Sequence, residues 1–304
     1  MIFIQRASQF SLRGFFIAIS LMIILSCATV FPADAARESP VSFDTVETVE
    51  PEWQEFADGI GYFNGKTSSP RLEFWALRID LRTPGMRIVV RSGAVDEGRT
   101  LSTRVSSFVR DNDLLAGINA VPFDIVSSRE GLPIQNVGIV VSDGELLAPA
   151  NPHYDALVFY ADGTAAIVRQ SAICSIENIE NAVGGFHQLL INGELAQRTL
   201  TREERHPRSA AGISTDGRCL YLLVIDGRRS GSIGATERET AAILRSLGAW
   251  DGINFDGGGS SALALRFPDD VVRIVNTPIH GGILGQERAV AGCLGVAFSL
   301  STER

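Results

Sequence analysis

An aspartate followed by three glycines and two serines is the segment of this chain best suited to chemistry. It reads Asn254-Phe255-Asp256-Gly257-Gly258-Gly259-Ser260-Ser261 and follows a short apolar run. Because glycine has no Cβ, such a backbone can approach a ligand closely, and consecutive glycines can turn several N–H groups toward one anion. Asp256 can then act as acid, base, nucleophile or metal ligand. We expect Asp256 at a catalytic site, with Asn254, Gly257, Gly258, Gly259 and Ser260 contacting the substrate.

This loop differs from two familiar glycine-containing motifs. It lacks the lysine of G-x-x-x-x-G-K-[ST], so an ATPase is disfavoured. It also does not match G-x-S-x-G, which disfavours a serine hydrolase.

Arg208 and His206 are the next candidates, in the run His206-Pro207-Arg208-Ser209. The planar guanidinium of arginine suits bidentate contact with a phosphate or a carboxylate, and histidine can act as a general acid near neutral pH. A surface salt bridge for Arg208 and a turn position for His206 are the structural alternatives. The residues alone favour these alternatives, and a role for both residues in substrate binding rests on the family resemblance given below.

Two further carboxylates and one amide stand at element ends. Asp226 follows the apolar run 220–225, where either a catalytic residue or a turn fits. Glu239 completes the pattern Thr236-x-x-Glu239, which is typical of a capping box but leaves a catalytic role open. Asn119 follows the run 114–118 and can both donate and accept hydrogen bonds.

These residues have to be positioned by many short strands and few helices. Turn pairs such as Asp143-Gly144 and Asn192-Gly193 separate the apolar runs and indicate hairpins. Helical spacing predicts one helix over 102–112 and another from Thr236 to about Leu247, ended by Gly248. The pattern favours an α+β fold, a single domain of mixed, largely antiparallel sheets with a few flanking helices. Strands are predicted at 74–81, 87–90, 137–141, 156–160, 165–168, 188–191, 220–225 and 294–298.

The start of the chain predicts export. Residues 1–35 combine Arg6 and Arg13 with an apolar stretch and end in Ala33-Asp34-Ala35, as a cleaved signal peptide does. A membrane anchor, or a lipid anchor on Cys27, is the alternative. Residues 36–55 are then expected to be a linker and 56–304 the functional domain, periplasmic or secreted, without a stable membrane span after cleavage.

Composition narrows the class of partner. The formal charge of −8 over 304 residues disfavours nonspecific nucleic-acid binding. The three cysteines left after cleavage permit at most one internal disulfide; Cys219 and Cys293 could be neighbours, and free thiols are equally compatible. No cysteine or histidine spacing indicates zinc, and no protein partner is readable.

Several of these segments together resemble the phosphodiester glycosidase family. The similarity is carried by His206 to Ala210, the Asp226-Gly227-Arg228 turn, Gly234-Ala235-Thr236 with Glu239, Leu247 to Ala249, and the glycine loop. It extends through Asn276-Thr277-Pro278 and Glu287-Arg288 to about 298, and more thinly over 72–205. One departure is Asn119-Ala120-Val121-Pro122-Phe123, where members often carry an Asn-Gly-Gly-Phe-Phe-like run. This difference bears on pocket shape and substrate rather than on fold.

The resemblance implies hydrolysis of a sugar phosphodiester at its glycosidic bond, on cell-envelope or extracellular glycans such as exopolysaccharide. It implies phosphate binding by Arg208 and the glycine loop, and catalysis by Asp256 and Glu239, with the choice of base or nucleophile open. Asp226, as a further carboxylate, Asn119 and Arg288 would position the substrate. Two alternatives remain: a noncatalytic polysaccharide-binding protein, and a phosphodiesterase that holds a divalent cation through Asp226, Glu239 and Asp256.

Overall fold

A computed structural model describes residues 46–91, 94–96 and 98–299. The predicted signal peptide, Cys27 and the first ten residues of the predicted linker lie outside these ranges, so export and lipid anchoring stay predictions. Within the described ranges, no helix has both the length and the apolar character needed to cross a bilayer.

Strands dominate the described chain. Two α-helices occur, α1 (Val105–Asp111) and α2 (Glu237–Leu247), together with short 3-10 turns at Gln170–Ala172, Gln197–Thr201, Gly258–Ser260 and His280–Gly282. The strands are β1 (Gln54–Ala57), β2 (Ile60–Ser68), β3 (Arg71–Asp80), β4 (Met86–Val90), β5 (Ala94–Asp96), β6 (Arg99–Leu101), β7 (Ala116–Asn119), β8 (Pro133–Gln135), β9 (Val140–Ser142), β10 (Glu145–Ala148), β11 (Asp155–Tyr160), β12 (Ala165–Arg169), β13 (Ile179–Gly184), β14 (His187–Ile191), β15 (Glu194–Leu195), β16 (Arg208–Ile213), β17 (Cys219–Ile225), β18 (Asp251–Asn254), β19 (Leu263–Arg266), β20 (Val272–Ile274) and β21 (Cys293–Phe298).

The strands form four sheets. The largest has the order β1-β2-β3-β17-β16-β18-β14-β15; two five-stranded sheets run β10-β9-β13-β11-β12 and β20-β19-β7-β21-β4; a small one runs β5-β6-β8. All strand pairings in the described part of the chain are antiparallel. The predicted antiparallel sheets with few helices are thus confirmed, and the fold is more strongly β than the α+β class implies.

The central strands of the eight-stranded sheet are buried on both faces. Ala210, Leu223 and Ile225 pack on one face with Ile243 and Leu244 of α2. On the other face, alternate residues of the same strands join one apolar cluster with both five-stranded sheets; examples are Ala211, Leu222, Ile118, Leu157, Val183 and Leu294. Because successive strand residues point to opposite faces, a strand buried on both sides is apolar throughout. The run 220–225 has this pattern.

The predicted helices are confirmed with shifted ends. For α2, the Thr236 side chain accepts from the Glu239 N–H at 3.2 Å, and the Glu239 carboxylate accepts from the Thr236 N–H at 2.9 Å. Gly248 ends the helix with a φ of 113°, in the left-handed region open to glycine. The capping box therefore sets the start of α2.

Two predicted hairpin turns have the expected geometry. Asn192 and Gly193 join β14 to β15 with φ of 53° and 77°, and Asp143 and Gly144 join β9 to β10 with φ of 49° and 79°. Two positive φ values in a two-residue loop match the turn whose twist suits antiparallel strands.

The remaining sequence features fall as follows. Strand β1 begins at Gln54, inside the predicted linker, and Val46, Val49 and Trp53 pack against the cluster around α2. Cys174, Cys219 and Cys293 are free thiols.

Candidate active site

The glycine loop lies directly after β18, where three backbone bonds fix its path. The Phe255 N–H donates to the Ser209 carbonyl at 2.9 Å, the Asp256 N–H to the Ala120 carbonyl at 2.9 Å, and the Gly258 N–H to the Pro207 carbonyl at 2.8 Å. The N–H groups of Ser260 and Ser261 bond back to carbonyls within the loop. The loop is therefore a rigid connection, and most of its N–H groups bond within the protein.

What the glycines supply is space for two arginines. A Cβ added at Gly259 would lie 2.5 Å from Nη2 of Arg288, and one at Gly258 would lie 3.2 Å from Nη2 of Arg228. Gly258 also has a φ of 64°, which strains any other residue. Gly258 and Gly259 thus let two guanidinium groups reach the backbone of the loop that follows Asp256.

The Asp256 carboxyl is partly accessible and otherwise enclosed by protein. Desolvation raises its pKa to about 6, although a hydrogen bond with Ser260, the charge of Arg288 and the Gly257 N–H favour the ionised form. A carboxyl with a pKa near 6 can exchange protons close to neutral pH, which general acid–base catalysis requires.

Arg288 is held beside this carboxyl by two neighbours. Its Nη1 donates to the Ser260 hydroxyl at 3.1 Å and its Nε donates to Nδ1 of His280 at 3.2 Å. Since Nδ1 accepts, the neutral His280 ring carries its proton on Nε2. Desolvation and the Arg288 charge lower the His280 pKa, which favours this neutral form.

Arg228 approaches the loop from the turn after β17. Its guanidinium is exposed, and Nη2 lies 3.3 Å from Nδ1 of His206. Desolvation, followed by the charges of Arg208 and Arg228, lowers the His206 pKa. The charge of Arg228 also contributes to lowering the pKa of Arg288, after desolvation, so the two guanidiniums act on one another. Arg288 beside the carboxylate and Arg228 at the same loop give two positive charges against one negative charge, and such a site suits an anion.

Asn119 is fully buried and fixes the loop from beneath. Its Nδ2 donates to the Asp256 carbonyl at 2.5 Å, and its Oδ1 accepts from the Ser209 hydroxyl at 2.7 Å and from the Ala262 N–H at 3.1 Å. One amide thus links β7, β16 and both sides of the glycine loop. The structure places Asn119 as a support of Asp256, with its hydrogen bonds directed to protein groups.

Asp226 supports the turn that carries Arg228. Its carboxylate accepts from Nε of Arg229 at 2.8 Å, from Nδ2 of Asn276 at 3.1 Å and from the Thr277 N–H at 3.1 Å. Burial raises its pKa, and these hydrogen bonds oppose the rise. Because all of these donors belong to the protein, the contacts of Asp226 are those of a residue that positions its turn.

The side chain of Arg208 points away from Asp256, although its backbone is near. A Cβ added at Gly257 would be 3.7 Å from the Arg208 Cα. The guanidinium, however, donates to the carbonyls of Ala235 at 2.9 Å and Glu204 at 2.8 Å and lies 3.6 Å from Glu237. Its neighbour Ser209 reaches Asn119, on the opposite face of β16, as strand alternation requires.

Asn254 belongs with this second group. It pairs in register with Ala210 and His187, which places the three side chains on one face of the sheet. His187 in turn lies 2.6 Å from Glu237. The Oδ1 of Asn254 is buried and has no hydrogen-bond partner among the described residues.

Glu239 is committed to the start of α2. Besides the Thr236 N–H, its two oxygens accept from Arg205 at 2.7 Å and 2.6 Å. Its side chain is buried. The structure therefore gathers Asp256, Ser260, Arg288 and His206 with the glycine loop, while Glu239, Arg208 and Asn254 belong to the surroundings of α2.

Two residues of this site were missed from the sequence, Arg228 and His280. Arg228 had one visible signal, its place directly after Asp226-Gly227 at a strand end. His280 had only its place before Gly281-Gly282. Among the residues that the structure describes, no group of three or more His, Cys, Asp or Glu side chains is arranged to hold a metal ion, either at this site or elsewhere.

Comparison with known proteins finds similarity over the part of the chain that contains this site. The family model described as phosphodiester glycosidase matches residues 112–297. The SPbeta prophage-derived uncharacterized protein YomE of Bacillus subtilis is 27% identical over 209 residues, which is 66% of this chain and 30% of YomE. The chain thus spans about a third of the length of that relative.

Three solved structures share the fold. The catalytic domain of zebrafish N-acetylglucosamine-1-phosphodiester alpha-N-acetylglucosaminidase, auto-inhibited by its pro-peptide, matches with a TM-score of 0.62 and 19% identity, over 84% of this chain and 89% of that one. A hypothetical protein from Synechocystis matches with 0.60 and 15%, over 83% and 64%. A putative exported protein from Burkholderia pseudomallei matches with 0.53 and 17%, over 74% of each chain. At these identities the likeness concerns the fold.

Proposed function

Because the chain belongs to the phosphodiester glycosidase family, we propose that it hydrolyses a glycosyl phosphodiester at the bond between the anomeric carbon and the phosphate oxygen. One observation carries this proposal: Asp256, with a pKa near 6, lies within the influence of the Arg288 charge, and Arg228 approaches the same glycine loop. A proton-exchanging carboxyl beside one cation, with a second cation at the same loop, is the combination that this reaction needs.

Phosphate binding is assigned to Arg228 and Arg288. Arginine binds phosphate oxygens through charged hydrogen bonds, and here both groups are exposed or partly exposed and retain donors that face no carboxylate partner in the described contacts. As the glycosidic bond breaks, negative charge grows on the departing phosphate monoester. Preorganised cations stabilise that charge, and this is usually a large part of catalysis.

Asp256 is assigned the role of the carboxylate that acts on the sugar side, as base toward water or as nucleophile. Ordinary glycosidases use two carboxylates, one of which protonates a poor leaving group. A phosphate monoester leaves readily, so a single carboxylate with two arginines is sufficient here. Glu239 and Asp226 already accept hydrogen bonds from protein donors, in keeping with this division.

Hydrolysis in ¹⁸O-labelled water tests the proposal. Label in the released sugar supports attack at carbon, whereas label in the phosphate monoester refutes it and indicates attack at phosphorus. The zebrafish relative is named for N-acetylglucosamine-1-phosphodiesters, which makes a nitrophenyl phosphodiester of that sugar the first substrate to assay. Arg288→Gln should lower kcat/KM by about tenfold or more, the value of a charged hydrogen bond; Arg87→Gln, a change on the distant edge strand β4, is the control.

We place this activity outside the cytoplasm, on cell-envelope or extracellular glycans. The signal-like residues 1–35 and the shared fold with a putative exported protein support that compartment. Detection of a processed protein that starts near residue 36 would test it; an unprocessed cytoplasmic protein would count against it.

A further inference from the structure

Two pairs of apolar side chains stand out on the surface. Ile125 and Val126 are 51% and 56% exposed, and Ile283 and Leu284 are 60% and 61% exposed. These are the four most exposed large hydrophobic side chains in the described ranges. Single exposed hydrophobics are normal on a protein, whereas adjacent exposed ones near a binding site are typical of a surface that contacts a ligand, a membrane or another protein.

Both pairs lie on loops anchored beside Arg288. Ser127 follows Val126 directly, and its carbonyl accepts from the N–H of Ala289, the neighbour of Arg288, at 3.0 Å. The second loop is closed by a bridge between Ile279 and Gln286. It also contains His280, which contacts Arg288 through its ring. Each apolar pair is therefore attached within three residues of the cationic site.

The second loop is open to solvent around three of its glycines. Gly281, Gly282 and Gly285 all have positive φ, between 63° and 80°, and a Cβ added at any of them would meet nothing within 4 Å. The side chains of Ile283 and Leu284 are thus presented outward, next to a site whose charge selects an anion. We call the four apolar residues Ile125, Val126, Ile283 and Leu284 the apolar rim.

We propose that the apolar rim binds the hydrocarbon part of a lipid phosphate, so that the substrate is the glycosyl phosphodiester of a long-chain alcohol. This rests on the proposed function, since the phosphate has to bind between Arg228 and Arg288. Charge complementarity selects the occupant: cations beside aliphatic side chains match an anion that carries a hydrocarbon chain. Isoleucine, valine and leucine side chains offer no hydrogen bond to a second sugar.

The reaction is then a balanced hydrolysis. Water oxygen bonds to the anomeric carbon, the bond from that carbon to the phosphate oxygen breaks, and its electron pair stays on the lipid phosphate. The proton lost from water passes to Asp256 and then to solvent. The products are the free sugar and a lipid phosphate.

A chain-length comparison tests the inference. The same sugar phosphate is offered as a methyl diester and as an octyl diester, to the wild type, to the rim variant Ile283→Ser/Leu284→Ser, and to the control Leu146→Ser/Ile191→Ser. The control removes two exposed side chains on other sheets, 49% and 43% exposed. We expect the wild type to favour the octyl diester in kcat/KM by about tenfold or more, the effect of burying about two methylene groups.

The rim variant should lose this preference and still hydrolyse the methyl diester, and the control should keep the preference. Absence of any chain-length preference in the wild type, or an unchanged preference in the rim variant, would overturn the inference while leaving the proposed function intact. Sedimentation of the wild type and the rim variant adds one outcome. If the wild type is a dimer and the rim variant is a monomer, a second copy of the chain covers the apolar rim, and the lipid inference is overturned.

Calorimetric binding of octyl phosphate against methyl phosphate separates the two proposals, because it needs no turnover. If neither diester is hydrolysed but octyl phosphate binds about tenfold more tightly than methyl phosphate, only in proteins with an intact rim, then the proposed function fails and the lipid site stands. Equal binding of the two phosphates counts against the lipid site.

Discussion

Asp256→Asn should stabilise the protein above pH 6 while it removes activity. The folded protein raises the pKa of Asp256 from its ordinary 3.8 to about 6, with desolvation as the largest cause. The folded state therefore binds a proton more tightly than the unfolded state. The resulting stability is fully present below pH 3.8 and is lost as the pH rises through about 6.

The size of the effect follows from the same values. At 1.36 kcal/mol per pH unit, the change from 3.8 to about 6 corresponds to about 3 kcal/mol in the free energy of unfolding. This is an upper limit, because the carboxyl is partly accessible to water, and we expect about 1 to 3 kcal/mol. Asparagine resembles the neutral carboxylic acid in shape and charge, so the variant should not lose stability as the pH rises through about 6.

Urea unfolding of the wild type and of Asp256→Asn at pH 4.5, 6 and 8 measures the difference in their free energies of unfolding. The stability difference should grow in favour of the variant across this range, while kcat/KM falls by at least about a hundredfold at pH 7. Groups shared by both proteins cancel in the difference. Asp58→Asn, a change at an exposed carboxylate in the turn between β1 and β2, is the control and should run parallel to the wild type. Parallel curves for Asp256→Asn would refute the claim that folding desolvates this carboxyl.

Two further substitutions and one pH profile probe the site. Glu239→Gln should lower the free energy of unfolding in urea by about 1–2 kcal/mol, because it weakens the helix cap and the ion pair with Arg205. The kcat of the variant should stay within about twofold of the wild-type value. A hundredfold loss of kcat in folded protein would instead assign Glu239 to catalysis. Gly259→Ala should lower kcat/KM by about tenfold through displacement of Arg288, with unfolding changed by less than about 1 kcal/mol; Gly61→Ala is the control, and an unaffected rate contradicts the packing described. The wild-type kcat/KM should rise with pH up to about 6 and then level off, because Asp256 ionises over this range. A kcat/KM that is constant from pH 4 to 8 would exclude Asp256 as the base.

Local patterns explain what the sequence predicted well. The capping box depends on residues three apart, so Thr236 and Glu239 located the start of α2 correctly. The loop after β18 was likewise visible, since a carboxylate and three glycines are contiguous, while the catalytic role of Asp256 stays a prediction. Positive φ at Asn192-Gly193 follows from the turn chemistry of two adjacent residues.

Long-range contacts explain what it did not predict. Arg228 meets Gly258 across thirty positions, and only the assembled sheets bring the two together. The direction in which the Arg208 side chain points depends on which face of β16 lies against Asn119. The sequence of one strand does not show which face that is. The expected N–H cradle stays a prediction; the Gly258 N–H already donates to the Pro207 carbonyl, a contact between residues far apart in the sequence.

Arg228 adopts a φ of 58°, a left-handed conformation that residues with a side chain rarely adopt. Such a conformation costs on the order of 1 kcal/mol, and a glycine would relieve it. The protein is therefore less stable than its own architecture would permit at this corner. This conformational cost accompanies a side chain whose guanidinium approaches Gly258, so a glycine introduced here to raise thermal stability would remove that guanidinium from the loop.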